Sequence, residues 1–365
     1  MEINPVRNSI PVSKSPRKLL QAVTQVGKRR GIISNGINKK VWVEIHASAL
    51  KKNIRAFRSI IGSRVKLWAV IKSNAYGHGL LTFSELAEKY GVDGFCVDSV
   101  VEGLKLRRAR SKKMILVLGP TLEKENLEEA AKHGIELTIS TFEALAALKK
   151  LRRSPSFHLK IDTGMHRQGF LLAEVDRALS FIKKYCLPIT GIYTHFAHAK
   201  DPRHAAFTRV QFNEFKKALA VAKKAGFTSL IRHAAATGAA LKDSRYCLDA
   251  VRIGKGLYGL WPDTRLSPVL SWRTRISEIK NVPRGAYIGY DLTERMSKQA
   301  RLAVIPIGYW HGFPRALSSI GEVLIGGKRA RVVGRISMDL TMVDVTKIPA
   351  EVGTVVTLIG RSEWV

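Results

Sequence analysis

Acidic residues are scarce in this chain: 29 Asp and Glu stand against 61 Lys and Arg, a formal net charge of +32. A field of that sign draws small anions, anionic lipid or nucleic acid. The basic residues are nevertheless spread over the whole chain, as in LKLRRARSKK and LKKLRR. No interleaved basic and aromatic motif marks a nucleic-acid reader, so nucleic acid is expected only as a non-specific partner. Cysteine is sparse too. Cys96, Cys186 and Cys247 are far apart and odd in number, which argues against a disulfide framework and offers no metal-ligand spacing. Reduced thiols, no metal and a cytoplasmic setting are expected. A run of about 18 uncharged apolar residues is missing, so no membrane span is expected, and MEINPVRNSIPVSKSPRKLL lacks the apolar core of a signal peptide. Internal repeats and low-complexity segments are also absent.

What is present reads as two domains behind a basic extension. Residues 1–40 carry nine Lys or Arg and one acid, with scattered Pro and Ser, and predict a loosely packed extension. From Val41 the pattern tightens. VWVEI reads as a strand, and Leu50, Ile54, Phe57 and Ile61 then recur at helical spacing. Eight strand candidates follow: LWAVIK (67–72), GFCV (94–97), MILVLG (114–119), ELTIS (136–140), FHLKID (157–162), ITGIYTH (189–195), SLIRHA (229–234) and VRIGKGLYG (251–259). Helical stretches such as TFSELAEKYG and STFEALAALKKL lie between them. This alternation predicts a parallel (β/α)8 barrel of the TIM type over residues 41–265. The rival doubly wound sheet lacks a Gly-rich dinucleotide fingerprint after its first strand. Beyond Pro262 the grammar changes to short β runs separated by Gly or Pro, which predicts an all-β domain over 266–365.

In an α/β barrel the chemistry sits at the C-terminal ends of the strands. Lys72 closes the first strand candidate, just before the turn NAYGHG. Alone, a lysine there reads as a solvated or salt-bridged group. An amine at that place is also suited to a Schiff base with an aldehyde cofactor. Pyridoxal 5′-phosphate (PLP) would then need a phosphate cradle, a partner for its ring nitrogen and a proton donor. IDTGMHRQGF offers Arg167, YTHFAHA offers His195, RHAAATGAA offers Thr237, and VRIGKGLYG offers Arg252 and the unobstructed backbone of Gly254. Each has an ordinary structural reading. Their recurrence at successive strand ends favours a site.

The chain resembles the alanine racemase family from VWVEIHASALKKNI to its last residues. The resemblance rests on VIKSNAYGHG, DTGMHRQGF, YTHFAHAKD, VRIGKGLYG, IPIGYWHGFPR and VVGRISMDLTMVDV, in the family's order. It implies a PLP-dependent enzyme that interconverts L- and D-alanine by two bases and supplies D-alanine for peptidoglycan. Lys72 would be the Schiff-base lysine and one base, and Tyr290, in YIGYD, the other. Tyr76 and Thr237 would bind phosphate with backbone N–H groups near Gly254 and Lys255. Arg252 would face the ring nitrogen with His195 behind it. Arg167 would lie near the substrate carboxylate, and Lys160 at a place where some members carry a carbamylated lysine. Tyr290, Met338 and Tyr309 would reach the barrel mouth of a second copy in a head-to-tail homodimer. An unperturbed phenol ionises near pH 10, and the charge of Arg252 would help Tyr290 to do so.

Some positions depart from the family pattern. His311 stands where relatives commonly have aspartate, Asp291 where glycine is usual, and Ser337 where many have cysteine. Relatives continue some tens of residues past TLIG, through a phosphate-binding tyrosine, so the β domain is expected to be cut short. The competing expectations are a serine or broad-specificity racemase and a non-catalytic PLP-binding barrel, against which YIGYD argues. A decarboxylase would want a carboxylate where Arg252 stands.

Overall fold

A computed structural model describes residues 40–199 and 201–360. Apart from Lys40, the basic extension lies outside the described residues, as does the terminal RSEWV. The chain divides into two units, one spanning Ile45–Leu270 and the other built on Ser271–Val365 together with the segment that ends at Glu44.

The first unit is a closed barrel of eight parallel strands, β2 (Lys66–Val70), β3 (Gly94–Val97), β4 (Met114–Val117), β5 (Glu136–Ile139), β6 (Phe157–Lys160), β7 (Ile189–Tyr193), β8 (Ile231–Ala236) and β9 (Ala250–Ile253). All eight strand candidates appear, with β8 shifted two residues toward the C-terminus. Pairing of Trp68 with Arg252 and of Ala69 with Ile253 closes β2 onto β9. Strand side chains alternate between two faces. Leu67, Ala69 and Ile71 therefore join Leu50, Ile54 and Phe57 of the helix Ala47–Ile61 in the core outside the strands. Trp68 and Val70, of opposite parity, pack with Cys96, Leu116 and Ala250 in a separate cluster inside the barrel.

The lumen is apolar on one side only. From β5 onward its inward positions include Glu136, Thr138, His158, Lys160, Tyr193, His233 and Arg252. The Tyr193 hydroxyl and Thr138 hydroxyl share a 2.9 Å hydrogen bond, and the His233 ring stacks on Tyr193 at 4.5 Å. Gly191 makes room for His158, because a Cβ there would lie 2.3 Å from that imidazole.

The second unit is an eight-stranded sheet in the order β1-β10-β16-β13-β14-β15-β12-β11. Its strands are β1 (Val41–Ile45), β10 (Leu270–Arg275), β11 (Glu278–Val282), β12 (Ala300–Ile305), β13 (Glu322–Ile325), β14 (Lys328–Val333), β15 (Thr341–Asp344) and β16 (Val355–Ile359). The segment VWVEI, expected at the start of the barrel, instead neighbours β10 in this sheet. Its alternation suits either place, and a partner more than 200 residues away decides. Gly326 and Gly327, at φ 54° and 76°, make the two-residue turn between β13 and β14; both central residues of that turn type need positive φ. Ile305, Val323, Ile325, Val332, Val343 and Val356 form the core.

Candidate active site

Nine of the residues singled out in the sequence line one cavity of about 770 Å³ in the barrel unit: Lys72, Tyr76, Lys160, Arg167, His195, Thr237, Arg252, Gly254 and Lys255. The strand ends bring them together, since all nine close or follow one of five strands, β2, β6, β7, β8 and β9, of one closed barrel.

Lys72 stands just past β2 and pairs with Asp98, past β3, at 2.9 Å. The turn behind it is unusual. Ser73, Asn74, Ala75 and Tyr76 all have φ between 53° and 55°, one turn of left-handed helix without a glycine. Such backbone costs roughly 1–2 kcal/mol per residue, so its surroundings must hold it. Glu102 does so with both oxygens, accepting from the backbone N–H groups of Asn74 and Asp98 at 2.9 Å each. The Asn74 side chain accepts from Leu80 N–H at 2.9 Å. The turn leaves the Tyr76 ring against Tyr258, centroids 4.9 Å apart and planes tilted by 38°. Burial raises the Tyr76 phenol above its ordinary range, against the opposing charge of Lys72. Its hydroxyl faces Gly254, where an added Cβ would approach to 3.1 Å. Beside it Thr237 Oγ1 accepts from Gly256 N–H at 3.2 Å.

Arg252 is 3 % exposed. Its Nη2 donates to the carbonyls of Thr194 at 2.7 Å and Ala234 at 3.1 Å and reaches His195 Nδ1 at 3.3 Å. Its Nη1 donates to His233 Nδ1. From there a buried chain crosses the lumen: His233 Nε2 to His158 Nδ1 at 2.7 Å, and His158 Nε2 to Glu136 Oε2 at 2.9 Å. Arginine can only donate, which fixes every tautomer along the line. His233 must accept on Nδ1 and donate from Nε2, and His158 likewise. Burial and the adjacent guanidinium push His233 well below the usual imidazole range, so it stays neutral. Burial alone would raise the Glu136 carboxyl, but hydrogen bonds from His158 and Thr190 outweigh it and hold the group below its ordinary value. Burial, with Arg252 and Lys160 nearby, takes His195 down to about 3; it too is neutral at physiological pH.

Lys160 is buried and donates to Gln168 Oε1 at 2.9 Å. Burial first, then the charges of Arg252 and Arg167, bring its amine down to about 8. Arg167 is carried by the turn after β6, where Asp162 Oδ1 accepts from the backbone N–H groups of Gly164, Met165 and His166. Among the described residues lining the cavity are five cations, Lys72, Lys160, Arg167, Arg252 and Lys255, and one carboxylate, Asp98. That imbalance suits a ligand with several negative charges, such as a phosphate ester together with a carboxylate.

The other three candidates lie in the β unit. Tyr290 begins a short turn, Tyr290–Leu292, and is 63 % exposed. Asp291 adopts φ 62°, the conformation that favours glycine, and its carboxylate pairs with Arg335 at 2.7 Å. The loop of Tyr309 is tied to that of Met338 by Tyr309 N–H to Ser337 O and Trp310 N–H to Met338 O, each 3.1 Å. Gly308 permits this, since a Cβ there would meet Ser337 O at 2.1 Å. His311 takes up a local role, accepting from Gly308 N–H through Nδ1 at 3.3 Å. Tyr290, Tyr309 and Met338 thus stand exposed on three linked loops. The sequence reading passed over His233, His158, Glu136, Glu102 and Asp98. The shared parity of His158 and Lys160 in FHLKID was the available signal for the first histidine.

An α/β barrel with a lysine and four further cations around one cavity, followed by a β domain presenting an exposed tyrosine, defines a class of enzyme that handles an anionic small molecule through an amine. Comparison narrows this. Residues 45–262 match the model of the alanine racemase N-terminal domain, and residues 269–364 that of the C-terminal domain. The chain belongs to the alanine racemase family, whose members are PLP-dependent isomerases. It is 39 % identical over 336 residues to an alanine racemase of Leptospira interrogans, covering 88 % of this chain and 86 % of that protein. The crystal structure of alanine racemase from Bacillus anthracis with bound L-Ala-P superposes with a TM-score of 0.82 at 33 % identity, covering 90 % of this chain and 87 % of that one. That of Bartonella henselae alanine racemase, with covalently bound pyridoxal phosphate, gives 0.79 at 27 % identity over 88 % and 91 %. Among the described residues no helix is long and apolar enough to cross a membrane.

Proposed function

We propose that this chain racemises alanine with PLP, as a cytoplasmic homodimer that supplies D-alanine for peptidoglycan. The observation that carries the reading is the cavity itself: an accessible lysine amine beside a buried arginine, with cations in excess of carboxylates. The donor set fits the cofactor. Lys72 would hold it covalently. Tyr76, Thr237 and the backbone N–H groups of Gly254 and Lys255 would take its phosphate, and Arg252 its ring nitrogen. When bound, PLP withdraws the electron pair left on the substrate Cα as its proton departs.

The chain's own residues set the rest. To accept a proton, the Lys72 amine must leave Asp98 and be neutral. Lys72 serves one face of Cα, and Tyr290 from a second copy serves the other. Arg252 keeps its proton, so it would offer the ring nitrogen of bound PLP a hydrogen bond rather than a proton, an arrangement that would favour simple proton return over side reactions. His233, His158 and Glu136 keep that guanidinium in place and lead its charge toward a carboxylate. Arg167 orients the substrate carboxylate, and Tyr309 and Met338 border the barrel mouth of the second copy. With its amine brought down to about 8, Lys160 is unprotonated in part near that pH and so open to carbamylation, because only an unprotonated amine adds carbon dioxide; intact mass with and without bicarbonate tests this. The activity itself is tested by chiral analysis of L-alanine and L-serine incubated with the PLP-loaded protein. D-Alanine is expected as the main product. Faster turnover of serine, or no racemisation, would overturn the assignment.

A further inference from the structure

Three residues past His195 the chain reads HAKDPRH, and His198, Asp201 and His204 recur at intervals of three. Each offers one ligand atom, and these atoms lie within 4.8 Å of one another. The two imidazoles face each other with ring centroids 4.6 Å apart and planes at 46°. His198 Nε2 is buried and has no hydrogen-bond partner. A buried imidazole nitrogen left this way is an exception that calls for a ligand.

We propose that His198, Asp201 and His204 form a binding site for a divalent transition-metal ion of the Zn²⁺ type. The donors choose the ion. Two imidazoles and one carboxylate suit zinc and its neighbours, whereas calcium and magnesium take oxygen ligands. Three protein ligands leave a coordination position open to water or an added donor. Zinc ligands at about 2.0–2.2 Å from the ion require the three side chains to draw somewhat closer than they now stand. Arg203 is the competitor, since its Nε and Nη2 contact both Asp201 oxygens at 2.7–3.2 Å. It is largely solvated and can stay on one oxygen while the other binds metal, an outer-shell hydrogen bond of the usual kind. The site joins the segment after β7 to the start of the helix Ala205–Lys224. His198 also lines the cavity that holds Lys72, so the ion would brace one wall of that cavity.

The test is titration of the full, PLP-loaded chain with Zn²⁺ by calorimetry and with Co²⁺ by visible absorption, in wild type, H198A, D201N and H204A. His204 is exposed, so H204A should fold; far-UV circular dichroism checks this. Metal that binds the cofactor or Cys186 appears equally in all four proteins. The expected result is one ion per wild-type chain, bound more weakly in each variant by at least the roughly 10–100-fold that loss of an outer-shell partner costs, with the Co²⁺ ligand-field bands lost in H204A. Binding of equal strength in wild type and H204A, or no binding in wild type, would overturn the proposal.

Discussion

The barrel unit encloses its candidate residues, and the β unit displays them. Lys72, Tyr76, Arg252 and their neighbours share one cavity, with Lys72 tied to Asp98 and Arg252 to the carbonyls around it. Tyr290, Tyr309 and Met338 stand on loops with roughly half or more of their surface exposed. A group that must keep one charge state, such as the guanidinium of Arg252, gains from burial among donors and acceptors that fix it. A group that must meet a ligand held elsewhere gains from exposure on a braced loop. On this reading the two units supply complementary halves of one reaction, and substitutions should separate them.

The largest effect is expected from Lys72→Ala, which should abolish both racemisation and the visible absorption of bound PLP. Tyr290→Phe should lower turnover by roughly 10²–10⁴-fold, the usual worth of a general acid–base group, with that absorption retained. Loss of absorption in Tyr290→Phe would make the tyrosine a structural residue and erase the contrast. Next comes His158→Leu, which deprives His233 and Glu136 of their buried partner. A loss of about 1–3 kcal/mol in folding stability is expected from unsatisfied polar groups, read from urea midpoints.

Lys160 gives a pH signature. Its folded-state pKa of about 8 lies below the ordinary lysine value. Below pH 8 both states carry the proton and the folded protein bears the full cost of a buried charge. Between that point and the ordinary value the unfolded chain binds more protons, so stability rises with pH. Wild type should therefore gain about 2 kcal/mol relative to Lys160→Met between pH 7 and 9.5; parallel curves would refute the shift. The smallest effect is expected in the β unit. Gly308→Ala forces the Tyr309 loop off Ser337 and Met338 and should raise KM several-fold with little change in PLP binding.

The sequence made the barrel legible because inward and outward positions alternate within each strand, as in LWAVIK and FHLKID. The strand-end residues were legible because parallel strands end on one face. The lumen chain from Arg252 to Glu136 was not, since it depends on the register of β5, β6 and β8, which one strand does not encode. The left-handed turn at Ser73–Tyr76 was also hidden. None of its residues is glycine, and the carboxylate that clamps it, Glu102, is far along the chain. VWVEI went to the wrong unit for a similar reason. A five-residue strand does not name its neighbour.

The most direct test of the central claim, that Lys72 of one copy works with Tyr290 of another, is to mix the two variants that each remove one base. Lys72→Ala and Tyr290→Phe chains, co-expressed in equal amounts, should form hybrid dimers in which one of the two sites retains both residues. Random pairing then restores about a quarter of wild-type racemase activity from two inactive proteins. A mixture as inactive as its components, with hybrid dimers present by mass, would contradict a site shared between copies.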